Sequence, residues 1–404
     1  MKYILVVGDG MADYPVPELG NKTPLQAAYK PNMDSIAANG QSGLIRTVPD
    51  ELSPGSETAI CSLLGYDPRK YCTGRGPLEA PSRGIKLREN DAAYRCNLIT
   101  EKGGVIVDYS AGHITTEESS KLLASINKAF GKLGKIEFYP GLDYRHFLIL
   151  RNFPKPELIQ CTPPHDAIGI DISAVLPKAK AAEAEKTARL LRELVNRSGG
   201  ILRTHPVNIA REKAGKNPGN LIWPWGGGKK PSMLSFEEKY GLKAAVISAV
   251  DLVKGIGIYA GMEIINVPGA TGLYDTNYEG KADAALKALE DNDLVFVHVE
   301  APDEAGHCKD YALKVKTIED LDKRLLGRIL DGLTEPYAIA ISPDHPTPIR
   351  IGTHSRDPVP FAIKSPFLKP NGVKKFDEFS ARNGAYGIVE NDHLISILIS
   401  SSKR

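Results

Sequence analysis

The sequence predicts an α/β protein with a doubly wound, mostly parallel sheet, interrupted by an inserted α+β domain. Three observations carry that expectation. The chain starts with "KYILVVGDG", a continuous apolar run with β-branched character, the pattern of a central parallel strand that delivers Asp9 at its C-terminal edge. The same pattern returns at 293–307, "DLVFVHVEAPDEAGH", and at 336–348, "PYAIAISPDHPTP". Between them lie helical segments, and the stretch from about 70 to 230 is of a different kind.

Taken in order, "TPLQAAYKPNMDSIAANG" reads as helix, with Thr23 as cap, Pro24 in the first turn and Gly40 as its close. "SPGSETAIC" then places Ser56 at the start of another helix. In the middle, "AAYRCNLITEKGGVIVDYS" and "YRHFLILRN" read as strands, and "TEESSKLLASINKAFG" and "KAAEAEKTARLLRELVNRS" as helices with solvated outer faces. Locally paired strands with helices on one side suggest an α+β domain. The domains are therefore expected at 1–70 and 231–404, together forming the sheet domain, with 71–230 inserted. "WPWGGGKKPS" reads as Gly and Pro punctuation at the second junction. Beyond it, "AAVISA" is a strand, "DLVKGIGIYAG" a short helix, "EGKADAALKALED" a helix before the strand at 293, and "YALKVKTIEDLDKRLLGRILDGL" a long helix after a loop at 303–310.

Composition excludes several classes. The 404 residues are 42% hydrophobic and 25% charged with a formal net charge of +2, which argues against disorder and against a nucleic-acid surface. The five cysteines are odd in number and form no CxxC pair, so they read as reduced thiols of a cytoplasmic protein. The first apolar run is too short for a signal peptide or a membrane span. "GDG" and "GRG" lack dinucleotide-binding spacing, and no phosphate-cradling loop with a following Lys and Ser or Thr is present, so no nucleotide is expected.

The chemistry-bearing residues cluster at the ends of the apolar strands. Asp9, Asp303, His307, Asp344, His345 and His354, with Ser56 as an oxygen donor, form a mixed oxygen and nitrogen set suited to Mn²⁺ or Zn²⁺. Each has a plain structural reading as well. Asp9 between glycines can shape a turn, Asp303 can cap a helix, and Ser56 can be an N-cap rather than a nucleophile. What favours a site is that a doubly wound sheet brings all these strand ends to one edge.

"VVGDGMAD", "SPGSETAICSLLGYDP", "APDEAGH", "SPDH" and "GTHSRDPVPF" together resemble the cofactor-independent phosphoglycerate mutases of the archaeal type, within the alkaline phosphatase superfamily. The resemblance runs from Asp9 to His354. It implies an alkaline-phosphatase-type sheet domain with two divalent metal ions, manganese first, with zinc, cobalt or magnesium as alternatives, and no bisphosphoglycerate. Asp303, His307 and His354 would hold one ion, and Asp9, Ser56, Asp344 and His345 the other. Ser56 would be the nucleophile, since a bound metal turns a poorly nucleophilic hydroxyl into an alkoxide. The reaction implied is interconversion of 3-phosphoglycerate and 2-phosphoglycerate through a phosphoserine, with no nucleic-acid or membrane partner. A metal-dependent phosphomonoesterase or related phosphotransferase would share every ligand, and a third reading is a scaffold without turnover.

Such a substrate calls for arginines in fork geometry and an acid or base group. The resemblance places these in the inserted domain, where Arg75, Arg145, His146, His165, Asp166, Arg211 and Lys229 are the candidates and His165 the acid or base. The chain departs from the longer bacterial form in its shorter middle domain, and in "SPGSETA" where that form has an Asn-Ser pair.

Overall fold

The run Lys2–Gly8 forms a strand that is buried beyond its first residue, as an apolar run without alternation requires. In the computed structural model, which describes residues 1–131 and 134–402, this strand is central in an eight-stranded sheet. The order is Glu263–Ile265, Ala244–Ile247, Leu294–Val299, Lys2–Gly8, Tyr337–Ser342, Val359–Lys364, Gln41–Arg46 and Ile388–Glu390. Only Val359–Lys364 runs against the others, so the sheet is mostly parallel. Ile4 and Val6 pack with Met33 and Ile36, Tyr278 and Ala282, and Ile318 and Leu325 from helices on one face, while the helices Ser56–Leu63, Asp251–Tyr259 and Leu394–Ser400 belong to the other layer. This is the doubly wound α/β class.

Two compact units are present: Met1–Cys72 with Ser232–Arg404, and Thr73–Pro231. The second is built on an antiparallel sheet in which Ala92–Lys102 pairs with Arg145–Leu150 on one side and Leu221–Lys229 on the other. Tyr94, Cys96 and Leu98 face the helices Thr116–Phe130 and Glu185–Leu202 through Leu122, Ile126, Leu191 and Leu194. With period two, Arg95 and Asn97 belong to the opposite face.

Several expectations need correction. The segment read as one helix from Thr23 is two, Pro24–Ala27 and Pro31–Ala38, because Lys30 before a proline leaves the helical region. The loop expected at 303–310 is in large part the helix Ala301–His307, with Pro302 in its first turn. "WPWGGGK" is no punctuation: it is the strand Leu221–Lys229. Pro224 is tolerated there because this strand lies at a sheet edge, and Gly227 is required because a Cβ would lie 1.9 Å from the Tyr94 ring. The long helix after 310 contains a π-helical stretch, Leu321–Gly327, between Tyr311–Asp320 and Arg328–Gly332. No helix among the described residues is long and apolar enough to cross a membrane.

Candidate active site

Three parallel neighbours, Leu294–Val299, Lys2–Gly8 and Tyr337–Ser342, end at the same edge of the first unit. Because they run side by side, residues almost 300 positions apart in sequence meet: Asp9 after the first strand of the chain, Glu300 and Asp303 after the second, Asp344 and His345 after the third. This is the carboxyl edge of the parallel strands, the usual side for a site in an open α/β sheet. Gly10 makes the approach possible. Its φ is +61°, and a Cβ would lie 2.6 Å from both Asp303 Oδ1 and Thr347 Oγ1.

All seven residues expected as metal ligands converge here. His345 Nε2 lies 3.2 Å from Ser56 Oγ, 3.3 Å from Asp344 Oδ2 and 3.6 Å from Asp9 Oδ1. Asp303 approaches His307 Nε2 at 3.2 Å and His354 Nε2 at 3.6 Å. Groups able to hold a cation are Asp9, Asp344 and His345; Asp303, His345 and His354; and Asp9, His298 and Glu300. His298 and Glu300 were not singled out in the sequence, although both lie in the "VFVHVEAPD" stretch that carries Asp303.

Ser56 does not cap its helix. The N-cap is Gly55, and no side chain makes a cap bond there. Its hydroxyl instead faces Asp9 Oδ2 at 3.5 Å as well as His345. Gly55 has φ 163°, extended backbone open to any residue, so the glycine serves no left-handed turn. Cys72 Sγ meets the carbonyl of Glu57 at 2.8 Å, on the first turn of the same helix.

The hydrogen bonds behind the imidazoles decide what each ring presents. Nδ1 of His307 faces the Gly352 carbonyl at 3.1 Å, and Nδ1 of His354 faces that of Pro54 at 3.4 Å. A carbonyl only accepts, so both Nδ1 atoms carry the proton. The two Nε2 atoms then face one another at 3.1 Å. Neutral rings would set lone pair against lone pair, so a shared positive charge is required there, a proton or a metal ion. The pKa shifts express the same demand: Asp303 draws His307 up to about 9. Burial works against the charge on Asp303, yet hydrogen bonds from His307 and His354 hold it well below the usual carboxylate range. Burial, then repulsion by Asp344, Asp303 and Glu300, pushes Asp9 well up. Asp9 Oδ1 and Asp344 Oδ2 are buried with no hydrogen-bond partner among the described residues. Buried carboxylate oxygens left open beside bare imidazole nitrogens fit a divalent metal ion.

In the second unit the candidates divide. Arg75 Nε donates to Glu79 Oε1 at 2.7 Å, and Arg95 donates to Glu79 Oε2. Arg95 also lies over the Trp225 ring, 5.5 Å from its centroid, and His165 meets the same ring edge-on at 5.5 Å. Arg145 is exposed and stacks on Tyr144 at 4.4 Å; it pairs with Asn97 across the sheet and shares the Arg95 face. Burial, with Arg75 and Arg95 nearby, lowers the His165 pKa against the pull of Asp166. Sequence alone does not mark Arg95, Glu79 and Trp225, because they sit inside apolar or apparently structural stretches.

Other candidates lie elsewhere. His146 is fully buried, since it neighbours Arg145 in a strand and must point to the opposite, helix-covered face beside Cys96. Its Nδ1 accepts from Gly141 N at 3.1 Å, and burial lowers its pKa to about 3. Arg211 is spent on structure: it pairs with Glu118 at 2.6 Å and donates to the carbonyls of Asn217, Ala111 and Gly112. Lys229 sits 3.4 Å from Glu157. Asp166 is exposed and 3.9 Å from His165 Nε2, beyond hydrogen-bond length. His146 and Arg211 thus do not join the Arg95 cluster.

The fold and this edge define the class: an α/β enzyme with a cluster of carboxylates and imidazoles built for divalent metal, around an uncapped serine. Comparison narrows it. A family profile described as 2,3-bisphosphoglycerate-independent phosphoglycerate mutase matches residues 37–208. A Methanosarcina mazei protein of that name is 51% identical over 405 residues, covering 99% of this chain and 100% of its own. A solved structure from Pyrococcus horikoshii superposes with TM-score 0.85 at 32% identity, covering 99% of this chain and 97% of that one. The cofactor-independent phosphoglycerate mutase of Thermoplasma acidophilum gives 0.69 at 31% identity, covering 99% of each. The chain belongs to the family of 2,3-bisphosphoglycerate-independent phosphoglycerate mutases.

Proposed function

We propose that this enzyme interconverts 3-phosphoglycerate and 2-phosphoglycerate through a phosphoserine at Ser56, without bisphosphoglycerate. The observation that carries the reading is the serine itself: its hydroxyl is released from the capping role and directed at His345 Nε2 and Asp9 Oδ2. In the forward half, the bond from phosphorus to O3 breaks as the bond to Ser56 Oγ forms; O3 gains a proton and Oγ loses one. In the return half, the bond from phosphorus to Ser56 Oγ breaks as the bond to O2 forms; O2 gives up its proton and Oγ regains one, so protons balance over the cycle.

Asp303, His307 and His354 would hold one divalent ion, and Asp9, Ser56, Asp344 and His345 another. The four carboxylates Asp9, Glu300, Asp303 and Asp344, gathered with imidazoles, match the charge of two such ions. The mixed donor set favours Mn²⁺. When bound, the metals would lower the pKa of the serine hydroxyl and neutralise charge on the transferring phosphoryl group.

To Thr73–Pro231 we assign the holding of glycerate. Arg75, Arg95 and Arg145 supply fork-shaped donors for carboxylate and phosphate. Arg95 Nε is buried with no hydrogen-bond partner among the described residues, which leaves a donor for an anionic ligand. His165, whose pKa is lowered by burial, is assigned the proton transfers at O2 and O3.

The test is phosphorus NMR of the purified protein with 3-phosphoglycerate and Mn²⁺, bisphosphoglycerate omitted. The expected result is conversion of the substrate signal to that of 2-phosphoglycerate with no inorganic phosphate. Free phosphate appearing at a comparable rate would overturn the reading in favour of a phosphatase.

A further inference from the structure

Four histidines turn Nε2 toward the metal edge, and their tautomers are not the same. In the neutral rings of His307 and His354 the carbonyls behind Nδ1 leave Nε2 bare. For His345 the group behind Nδ1 is the Thr347 hydroxyl, at 3.4 Å. That hydroxyl donates its proton to Asp303 Oδ1. It can therefore only accept from His345, and His345 Nε2 is bare as well.

His298 differs. It is fully buried in the strand Leu294–Val299, and its Nδ1 lies 3.3 Å from Ser248 Oγ. Ser248 Oγ accepts from Val250 N at 3.0 Å, and no carboxylate claims its proton among the hydrogen bonds of the described residues. The hydroxyl is free to donate to Nδ1, which places the imidazole proton on Nε2, 3.0 Å from Asp9 Oδ2. Lys281 Nζ, itself buried, fixes the strand end by donating to the His298 carbonyl at 3.0 Å.

We infer that His298 is a positioning residue which donates Nε2–H to Asp9 Oδ2, and that the Asp9, His298 and Glu300 group holds a proton rather than a third cation. Ser248, His298 and Asp9 form a relay of hydrogen bonds. It turns Oδ1 of Asp9, the oxygen with no hydrogen-bond partner among the described residues, toward His345 Nε2 at 3.6 Å. Asp9 then offers the metal one oriented oxygen. The inference rests on the metal role proposed for Asp9, and it assigns His298 no contact with substrate.

The test is Mn²⁺ binding by the full-length protein in the absence of substrate, with stoichiometry and affinity measured by equilibrium dialysis. Removing a group that orients a metal ligand typically weakens affinity by about 10–100-fold. His298→Ala is expected to weaken one Mn²⁺ by that factor at unchanged saturating stoichiometry. His298→Gln, whose amide can place an N–H near the position of Nε2, is expected to stay within about threefold of wild type, and Ser248→Ala to fall between the two. Circular dichroism separates misfolding from weakened binding, and the Gln and Ser248 variants keep the test open if the Ala variant does not fold. Two results would overturn the inference: a third bound ion that is lost in His298→Gln, or a Gln variant as weak as Ala. Wild type that binds no Mn²⁺ would instead sink the metal reading of Asp9 itself, whatever the variants do.

Discussion

Ser56→Ala is expected to lower kcat for phosphoglycerate isomerisation by roughly 10⁴–10⁶-fold, the scale on which removing a covalent nucleophile acts, while the protein stays folded. The stability side follows from the helix geometry. A true N-cap replaced by alanine costs about 1 kcal/mol, but Ser56 makes no cap bond and Gly55 occupies the cap position. The unfolding free energy should therefore change by less than about 0.5 kcal/mol. Thr58, two residues on, is buried and bonds the Ser53 carbonyl at 3.3 Å, so it cannot take over. Denaturant unfolding alongside the NMR assay checks both halves. A variant isomerising at even a tenth of the wild-type rate would return Ser56 to a structural role.

The second large effect is expected from the two imidazoles that divide the metal ligands. His345→Ala removes the nitrogen facing Ser56, Asp344 and Asp9, and His307→Ala removes the one beside Asp303 and His354. Each should lose one tightly held divalent ion and at least about 10³-fold in kcat, because charge stabilisation by a metal is worth several kcal/mol and each 1.36 kcal/mol is tenfold in rate. Metal content after dialysis, read by mass spectrometry of the eluted ions, checks the first claim and the isomerisation assay the second. His345 is fully buried whereas His307 is exposed, so the His307 variant should fold with less perturbation. Two ions retained with near-normal turnover in either variant would contradict the assignment.

The legible part of the site is the part that ends strands. Asp9, Asp344 and His345 directly follow or closely follow apolar runs, and parallel pairing of those runs carries them to one edge. Here a one-dimensional pattern contains the three-dimensional answer. His298 and Glu300 were not legible, because a histidine inside "LVFVHV" looks like part of a buried strand, and its partners Ser248 and Asp9 lie 50 and 289 residues away. Period two separates the candidates in the second unit. Arg145 and His146 are adjacent in sequence, yet the pleat sends them to opposite faces. Arg211 looked available, but its four polar partners come from segments that only folding brings near. The strand Leu221–Lys229 was hidden by Pro224 and three glycines, residues that usually end strands and are accommodated here by an edge position and the Tyr94 ring.

The most direct measurement of the phosphoserine pathway is mass spectrometry of the wild-type protein, acid-quenched shortly after mixing with 3-phosphoglycerate and Mn²⁺ and then digested. Phosphoserine survives acid. The predicted result is one phosphate on the peptide containing Ser56, absent without substrate and absent in Ser56→Ala. A peptide that stays unmodified while the same sample is turning over, or a phosphate found on another residue, would contradict transfer through Ser56.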